Sequence, residues 1–318
     1  MPELPEVETT KASLTPLLNQ PVTTVQIFQP KLRWPMPDDL LSLVGYHLQK
    51  VERRAKYLIL TFVLTSASSK NDKDNATSTP QSRQLIIHLG MSGSLQQHPY
   101  GTDKRKHDHL IFEFSADKNS DGYKDSNEHT NAITQLHYHD PRRFGAVLWY
   151  TEYKSKLFDH LGLEPLSVEF NADYLYRLIQ RNSSNDIIDK ASNRKKPITR
   201  PIKSVIMEQQ VVVGVGNIYA AESLYLSNIH PATPACNLSY KQVVVLVEHI
   251  KAILKKAISL GGSTLRDFTV ASGQTGYFQQ TLNVYGRQGE ACPHCDTTLD
   301  NIKLSGRASV FCPKCQPL

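Results

Sequence analysis

Residues 57–64, with the sequence YLILTFVL, are the clearest indication of the fold class of this chain. The run is short, apolar and rich in β-branched and aromatic residues, which is typical of a buried strand. Similar runs, separated by turn residues, occupy residues 22–28, 84–89, 109–114, 135–139 and 146–150. The first half of the chain is therefore predicted to form an all-β sandwich or barrel.

Helices are predicted on both sides of this β region. Pro5 is a favoured first-turn residue, and Glu6 and Glu8 suit the positive end of a helix, which we expect to run toward Leu18. From about Asp173 the pattern becomes helical, with segments 202–213, 217–226 and 240–259 of helical spacing or length. We therefore predict an α+β fold, with a boundary between a β domain and a helical domain near residues 150–170.

Two polar segments interrupt the strand pattern. Residues 66–84 contain no large apolar residue, and residues 115–132 contain only Tyr123. Such segments cannot bury enough apolar surface to offset the entropy of ordering, so both are predicted to be flexible surface loops. No function is assigned to either.

The composition sets limits on the class of protein. With 318 residues, 40% hydrophobic and 21% charged, the chain is not collagen-like, wholly disordered or a disulfide scaffold. It has no apolar run of membrane-spanning length and no signal-peptide pattern at its start, so we expect a cytoplasmic protein. The formal charge of +6 is compatible with a polyanionic partner.

The last four cysteines form the strongest local motif. Cys292-Pro-His-Cys295 and Cys312-Pro-Lys-Cys315 have the paired spacing of a tetrahedral zinc site, with a β-hairpin at 297–311 and Gly306 near its turn. Four thiolate ligands leave no open position, which indicates one structural zinc ion. The alternatives are free or redox-active cysteines, or a site in which His294 replaces one cysteine.

Gly214 and Gly216 precede a predicted helix. They do not form a dinucleotide-binding fingerprint, because Tyr219 occupies the position of the third glycine and no βαβ unit surrounds them. Residues 190–203 upstream are rich in lysine and arginine. The turn is either a phosphate clamp, with free backbone N–H groups at a helix start, or simply a tight turn between helices.

Seven segments in order carry a resemblance to a known family. They are MPELPEVET (1–9), RRAKYLI (53–59), IHLGMSGSL (87–95), KHDH (106–109), DPRRFG (140–145), VVGVGNIYAAESL (212–224) and the terminal cysteine hairpin. Together they resemble bacterial formamidopyrimidine-DNA glycosylases. The resemblance implies a two-sheet β-sandwich with a leading helix (1–155), a helix–two-turn–helix domain (156–280) and a zinc-finger hairpin with four cysteine ligands (281–318).

The resemblance also implies a catalytic N-terminus. Removal of Met1 would make Pro2 the nucleophile, with Glu3 as general acid/base and Lys56 at the lesion. An α-amine has a pKa of roughly 7.7–8.0, so a useful fraction is unprotonated at neutral pH. Glu6 either orients the terminus or caps the helix, and Arg53 and Arg54 are expected to be solvated.

DNA contacts are implied at further positions. Met91, Arg142 and Phe144 match the set that fills the gap left by a flipped nucleotide. Residues 271–278 match the lesion-recognition flap, although Ser272, Gln274 and Thr275 depart from the family pattern. The implied phosphate contacts are His107, Lys203, Asn217, Tyr285 and Arg307.

The resemblance implies a monomeric, bifunctional DNA glycosylase and abasic-site lyase that acts on double-stranded DNA and removes oxidised purines. The alternatives are the related endonuclease VIII activity on oxidised pyrimidines and a non-enzymatic zinc-containing DNA-binding regulator. The presence of Pro2, Glu3 and Lys56 argues against the regulator.

Overall fold

The computed structural model describes residues 2–64, 81–115, 133–181, 196–262 and 282–318. The chain divides after Asp159 into two compact units. Pro2 and residues 6–159 belong to the first unit, and residues 3–5, 160–262 and 282–318 belong to the second. Most of the two predicted polar loops lies outside the described residues.

The first unit contains two four-stranded antiparallel sheets. In chain order the strands are β1 (Val22–Ile27), β2 (His47–Arg54), β3 (Tyr57–Val63), β4 (Ser82–His88), β5 (Ser94–Pro99), β6 (Asp108–Ser115), β7 (Ile133–His139) and β8 (Ala146–Trp149). One sheet has the order β1-β6-β7-β5 and the other has the order β2-β3-β4-β8. The six predicted strands are present, each within two residues of its predicted bounds.

The core of the first unit lies between the two sheets. Alternate residues of β3, Leu58, Leu60 and Phe62, are fully buried there, as strand periodicity requires. The ring of Phe62 stacks on that of Phe112 from the opposite sheet, with centroids 6.3 Å apart. This packing makes the two sheets a β-sandwich rather than a barrel.

Two strands were not predicted from the sequence, β2 and β5. Each lies at the edge of its sheet and pairs with a single neighbour. An edge strand carries more polar side chains than a central strand, and the sequence of β2, HLQKVERR, shows no apolar run.

The helices are α1 (Leu4–Ser13), α2 (Tyr150–Phe158), α3 (Ala172–Gln180), α4 (Ile202–Ile206), α5 (Asn217–Leu226) and α6 (Tyr240–Ser259). Helices α5 and α6 have the predicted bounds, and α6 begins with a capping box between Ser239 and Gln242. No helix in the described ranges is long and apolar enough to span a membrane.

Two predicted helices are shorter in the structure. Helix α1 ends at Ser13 rather than near Leu18, because Pro16 lacks the N–H that would continue it. The predicted helix 202–213 ends at Ile206. Its last part forms turns, in which the Val211 and Val212 N–H groups donate to the Glu208 carbonyl, and ends in an isolated bridge between Val212 and Leu163.

The chain ends in the predicted hairpin, formed by β9 (Asp300–Leu304) and β10 (Arg307–Phe311). Ser305 and Gly306 make the two-residue turn with φ values of 47° and 79°. Positive φ at both positions matches the twist of the flanking strands. Arg307 is therefore exposed directly after the turn.

Candidate functional site

The carboxylate of Glu3 lies at the N-terminus of α5. The backbone N–H of Gly216 donates to its Oε2 at 2.8 Å, and that of Ile218 donates to its Oε1 at 3.1 Å. The positive end of the helix dipole stabilises a negative charge at this point. Only 2% of Glu3 is exposed, so its position is tightly defined.

The two glycines of this turn are needed for the approach of the N-terminal segment. A Cβ at Gly216 would lie 2.2 Å from Cδ of Glu3, and one at Gly214 would lie 2.5 Å from Cβ of Leu4. Gly214 also has a φ of +79°, and its carbonyl accepts from the Leu4 N–H. The turn does bind an anion, but that anion is Glu3 of the same chain. A phosphate clamp that uses the Gly216 and Ile218 amides is therefore wrong.

Pro2 and Lys56 both belong to the first unit and are both buried. Lys56 lies in the two-residue turn between β2 and β3, where Ala55 has a φ of 54°. Arg53 supports this turn, since its Nη1 donates to the Ala55 carbonyl at 3.0 Å and its Nε donates to Glu8 Oε2 at 2.5 Å. The prediction that Arg53 is solvated is therefore wrong, because it forms an ion pair that is mostly buried.

His88 is a neighbour of Lys56 that the sequence analysis did not single out. Burial, together with the charges of Lys56 and Arg33, lowers the pKa of His88 to about 4. Its Nδ1 accepts the Gly90 N–H at 3.1 Å, so the neutral ring carries its proton on Nε2. A buried N–H donor therefore accompanies Lys56 at neutral pH. The position of His88 in IHLGMSGSL was the available signal.

Met91, Arg142 and Phe144 occupy two loops of the first unit, residues 89–93 and 140–145, which we name the paired loops. Met91 is 39% exposed and Phe144 is 46% exposed. The guanidinium of Arg142 lies over the Phe144 ring, 5.1 Å from its centroid. The structure thus presents two apolar side chains and one cation to solvent.

His107 lies in the same unit, beside a buried network on Asp108. His137 and His139 contact the Asp108 carboxylate through Nδ1 at 2.9 and 2.8 Å, and Arg105 also donates to it. Burial alone would raise the pKa of Asp108, but these hydrogen bonds outweigh it and hold the pKa well below its usual range. The network fixes the chain on the C-terminal side of His107.

Lys203, Asn217, Tyr285 and Arg307 all belong to the second unit. Lys203 is not an exposed cation, since it is 1% exposed and donates to the Ala308 carbonyl and Ser309 Oγ at 2.9 and 2.8 Å. Burial lowers the pKa of Lys203 to about 8, although the charge of Glu3 partly opposes this shift. Lys203 therefore anchors the hairpin strand that begins with Arg307.

A pocket of about 210 Å³ lies beside this anchor, and Arg200, Lys203 and Arg307 are among its lining residues. Glu208 also lines the pocket and forms an ion pair with Arg200. The pocket lining therefore carries three basic side chains and one acidic side chain.

Glu222 is a second residue that sequence reasoning missed. Its carboxylate is fully buried and accepts the backbone N–H groups of Asn283, Val284 and Tyr285, as well as the Asn283 side-chain amide. It thereby fixes the segment that carries Tyr285. A lone acid in the otherwise apolar helix NIYAAESLYL was the signal for this role.

The four cysteines at the C-terminus bring their sulfur atoms together. All four Sγ atoms lie within 4.8 Å of one another. The Sγ atoms of Cys292 and Cys315 are 3.9 Å apart, and those of Cys295 and Cys312 are 3.5 Å apart. A tetrahedron with zinc–sulfur distances near 2.3 Å has edges of about 3.8 Å, so the cluster fits a zinc ion. His294 is exposed and is not part of this cluster.

Several predicted residues lie outside the described ranges. These are Met1 and the flap 271–278, with the departing positions Ser272, Gln274 and Thr275. Residues 190–195 of the basic stretch 190–203 are outside them as well.

Comparison with known proteins gives the same assignment along the chain. Residues 1–147 match the formamidopyrimidine-DNA glycosylase N-terminal domain, residues 161–269 match the H2TH domain of the same enzymes, and residues 289–318 match the zinc finger found in FPG and IleRS. The chain belongs to the formamidopyrimidine-DNA glycosylase family.

Similar proteins of this family cover the chain from end to end. The formamidopyrimidine-DNA glycosylase of Psychrobacter arcticus is 66% identical, and the match covers 100% of this chain and 99% of the relative. That of Acinetobacter baylyi is 49% identical, with 100% and 99% coverage. These family members are similar to this chain over both units and the hairpin.

Solved structures of Lactococcus lactis Fpg are also similar. A complex of an L. lactis FPG mutant with Fapy-dG-containing DNA matches with a TM-score of 0.76 and 30% identity, covering 100% of both chains. A complex with abasic-site DNA matches equally well, covering 99% of this chain and 100% of the other. The predicted fold class is confirmed: a β-sandwich with a leading helix, an H2TH domain and a terminal cysteine hairpin.

Proposed function

We propose that this protein is a bifunctional DNA glycosylase and abasic-site lyase, with Pro2 as nucleophile and Glu3 as general acid/base. The observation that carries the proposal is the buried Glu3 carboxylate, held by the amides of Gly216 and Ile218. The Glu3 carboxylate satisfies two N–H groups at the start of α5 and lies one residue after Pro2 in the chain. Such placement favours a catalytic N-terminus over a merely processed one.

In the proposed reaction the secondary amine of Pro2 attacks C1′ of the damaged nucleotide. The C1′–N bond breaks, and the base leaves with a proton that Glu3 helps to deliver. The Pro2 nitrogen loses its proton and the C1′–O4′ bond then breaks as O4′ takes up a proton, which leaves a cationic iminium that acts as an electron sink. Loss of the C2′ proton expels the 3′ phosphate, and a second elimination expels the 5′ phosphate.

Lys56 acts beside this chemistry. Its turn is braced by the ion pair of Arg53 with Glu8, so the ammonium has a defined position. We propose that it contacts the phosphate near the lesion or assists departure of the base. The neutral His88 ring adds an N–H donor beside it without a second positive charge.

Opening of the duplex is assigned to the paired loops. A base inside the stack cannot be attacked at C1′, so its nucleotide must be flipped out and the gap must be filled. We propose that Phe144 wedges into the stack, that Met91 fills the remaining space and that Arg142 donates to the orphaned base. Their high exposure for apolar residues supports this role.

Phosphate contacts are assigned to His107, Asn217, Tyr285, Arg307 and Lys203. Asn217 would contact a phosphate through its side-chain NH2 group, because phosphate oxygens and Oδ1 are all acceptors. Lys203 contributes mainly by holding the strand of Arg307. These contacts set affinity rather than sequence preference.

One structural zinc ion is proposed for Cys292, Cys295, Cys312 and Cys315. Four thiolates would satisfy its coordination, so the ion would tie the hairpin together and take no part in the reaction.

The expected substrates are oxidised purines in double-stranded DNA, 8-oxoguanine opposite cytosine and formamidopyrimidines. Oxidised pyrimidines are a second candidate class, since a similar L. lactis Fpg complex contains DNA with an oxidised pyrimidine. We also propose a monomer acting on cytoplasmic or nucleoid DNA, with domains at 1–155, 156–280 and 281–318.

Borohydride trapping tests the proposal. The protein is incubated with an oligonucleotide that contains an abasic site, and borohydride is added to reduce any iminium. We expect a covalent protein–DNA adduct, whereas a non-enzymatic DNA-binding regulator would give none. Parallel incision of duplexes with 8-oxoguanine, formamidopyrimidine or thymine glycol then separates the two substrate classes.

A further inference from the structure

The paired loops are joined by a buried group of side chains that the proposed reaction does not use. Asp140 and Ser92 are 0% and 4% exposed. The Ser92 hydroxyl donates to Asp140 Oδ1 at 3.0 Å, which links loop 89–93 to loop 140–145. The Arg142 N–H in turn donates to Ser92 Oγ at 3.3 Å.

The second carboxylate oxygen of Asp140 closes its own loop. Oδ2 accepts the Gly145 N–H at 2.9 Å, so the carboxylate spans the segment that carries Arg142 and Phe144. The Asp140 carbonyl also accepts from Arg143 N–H at 3.2 Å, and His109 Nε2 lies 2.8 Å from it. The segment is thus fixed at both ends.

Backbone packing brings the two loops into direct contact. A Cβ at Gly90 would lie 2.5 Å from the Phe144 carbonyl carbon and from the Gly145 nitrogen. Gly90 has a φ of +66°, a conformation that glycine adopts without strain. The loop of Met91 therefore lies against the backbone of Phe144 with no room for a side chain.

From this geometry we infer that Asp140 and Ser92 are positioning residues that lock the paired loops into one rigid wedge. Met91, Arg142 and Phe144 then enter the base stack together rather than one at a time. The inference rests on the proposed function, since it concerns how the duplex is opened.

Rigidity matters here because insertion must offset the cost of unstacking. Two independent loops would lose conformational freedom on binding, whereas loops already fixed to each other lose less. Side chains that must reach a defined geometry depend on supporting hydrogen bonds behind them. Neither Asp140 nor Ser92 needs to touch DNA for this effect.

Ser92→Ala is the first test. The variant removes the hydroxyl, leaving Asp140 Oδ1 and the Arg142 N–H without this partner. Single-turnover excision from a duplex with 8-oxoguanine opposite cytosine should fall about tenfold, equivalent to about 1.4 kcal/mol. Cleavage of a single-stranded oligonucleotide with a preformed abasic site should not change, because no duplex must be opened.

Ser94→Ala is the matched control. Ser94 is also buried and two residues away, and its hydroxyl accepts from Gln96 rather than joining the loops. It should retain wild-type excision on both substrates. Asp140→Asn is a second, isosteric variant and should show the same selective loss as Ser92→Ala.

A double-mutant cycle with Phe144→Ala separates a wedge from ordinary destabilisation. If the loops act as one body, Phe144→Ala should cost much less in the Ser92→Ala background than in the wild type. Equal cost in both backgrounds, or equal loss of duplex excision and single-strand cleavage in Ser92→Ala, would overturn the inference. Absence of both duplex excision and borohydride trapping in the wild type would instead refute the proposed function.

Discussion

The paired loops of the first unit and the hairpin of the second unit present their exposed arginines in different ways. Arg142 lies on loops that a packed β-sandwich supports, with Asp140 and Ser92 linking them by hydrogen bonds. Arg307 lies on a two-stranded hairpin whose buried neighbours are few and include Cys292 and Cys312. The packed β-sandwich therefore supports Arg142, whereas the cysteine cluster supports Arg307.

This difference predicts how mutation should affect the structure of each region. Losing one hydrogen bond between the loops costs about 1 kcal/mol and leaves the sandwich core intact. A short hairpin has too little apolar surface to fold alone, so loss of the proposed zinc ion should disorder it. Damage to the loops should therefore be graded, whereas damage to the cysteine cluster should be nearly all-or-none.

The largest effect should come from blocking the N-terminus. A chain that retains Met1, or carries an uncleaved N-terminal tag, has no free Pro2 amine. Trapping and strand cleavage should fall by more than about a thousandfold, as expected for loss of a nucleophile. Binding of an uncut lesion duplex should fall far less, since the paired loops and the hairpin are unaltered.

A C-terminal tag of the same sequence is the control for this experiment and should leave activity intact. Full cleavage by the N-terminal fusion would exclude Pro2 as the nucleophile.

The next largest effect should come from Cys295→Ser. Loss of one thiolate should weaken metal binding and disorder the hairpin, lowering DNA affinity by about 100-fold through the loss of several phosphate contacts. The β-sandwich should remain folded, as judged by circular dichroism. The measurements are zinc content, DNA binding at fixed salt and thermal unfolding.

Cys236→Ser is the matched control, because Cys236 is separate from the cluster. It should retain zinc and affinity. If the Cys295→Ser protein lacked zinc yet bound DNA like the wild type, the position of Arg307 would not depend on metal binding by the cysteines.

Local patterns accounted for much of the fold. The cysteine spacing predicted a cluster that the structure contains, because two turn-borne pairs need only one hairpin between them. Helices 217–226 and 240–259 were predicted with their observed bounds, since apolar content and length are local properties. The polar edge strands β2 and β5 were missed, because their pairing is decided by neighbours distant in sequence.

The hydrogen bonds and ion pairs that hold the site residues in place could not be predicted in the same way. The bonds from Gly216 and Ile218 to Glu3 span more than 200 residues of chain. Arg53 and Lys203 lie in basic stretches that are typical of solvated surface, yet each is largely buried against specific acceptors. Such contacts depend on the tertiary fold, and no pattern within a single segment encodes them.

A smaller effect is expected at Arg142, the residue that we propose contacts the orphaned base. A base-reading contact is worth about 1–3 kcal/mol, so Arg142→Ala should reduce the preference for cytosine over adenine opposite the lesion about tenfold. Adenine presents a donor where cytosine presents an acceptor, which is the basis of the preference. Single-turnover excision on the two duplexes measures it.

Arg143→Asn is the control, since Arg143 has a φ of 54° and asparagine tolerates that conformation. It should leave the preference unchanged. If Arg142→Ala lowered the excision rate equally on both duplexes, Arg142 would contact the DNA backbone or fill the gap in the stack without reading the opposite base.

The smallest expected effect is a pH dependence of DNA affinity, which we attribute to Lys203 beside the hairpin and not to the paired loops. The pKa of Lys203 is lowered to about 8, chiefly by burial. Its charged fraction therefore falls from about nine-tenths at pH 7 to about one-tenth at pH 9. If the ammonium supports the strand of Arg307 and the phosphate contacts, DNA affinity should fall about fivefold over this range at constant salt.

The stability of the protein should move in the opposite direction, which distinguishes this effect from unfolding. Between pH 8 and the higher pKa of an unfolded lysine, the unfolded chain binds a proton that the folded chain lacks, so Lys203 contributes a rise in folding stability with pH. Lys203→Met should remove both trends, whereas Lys303→Met, at an exposed position of β9, should keep them. All three proteins have the same N-terminus, so the difference between variants isolates Lys203. A Lys203→Met protein with the same pH profile of binding as the wild type would show that the Lys203 charge does not support DNA binding.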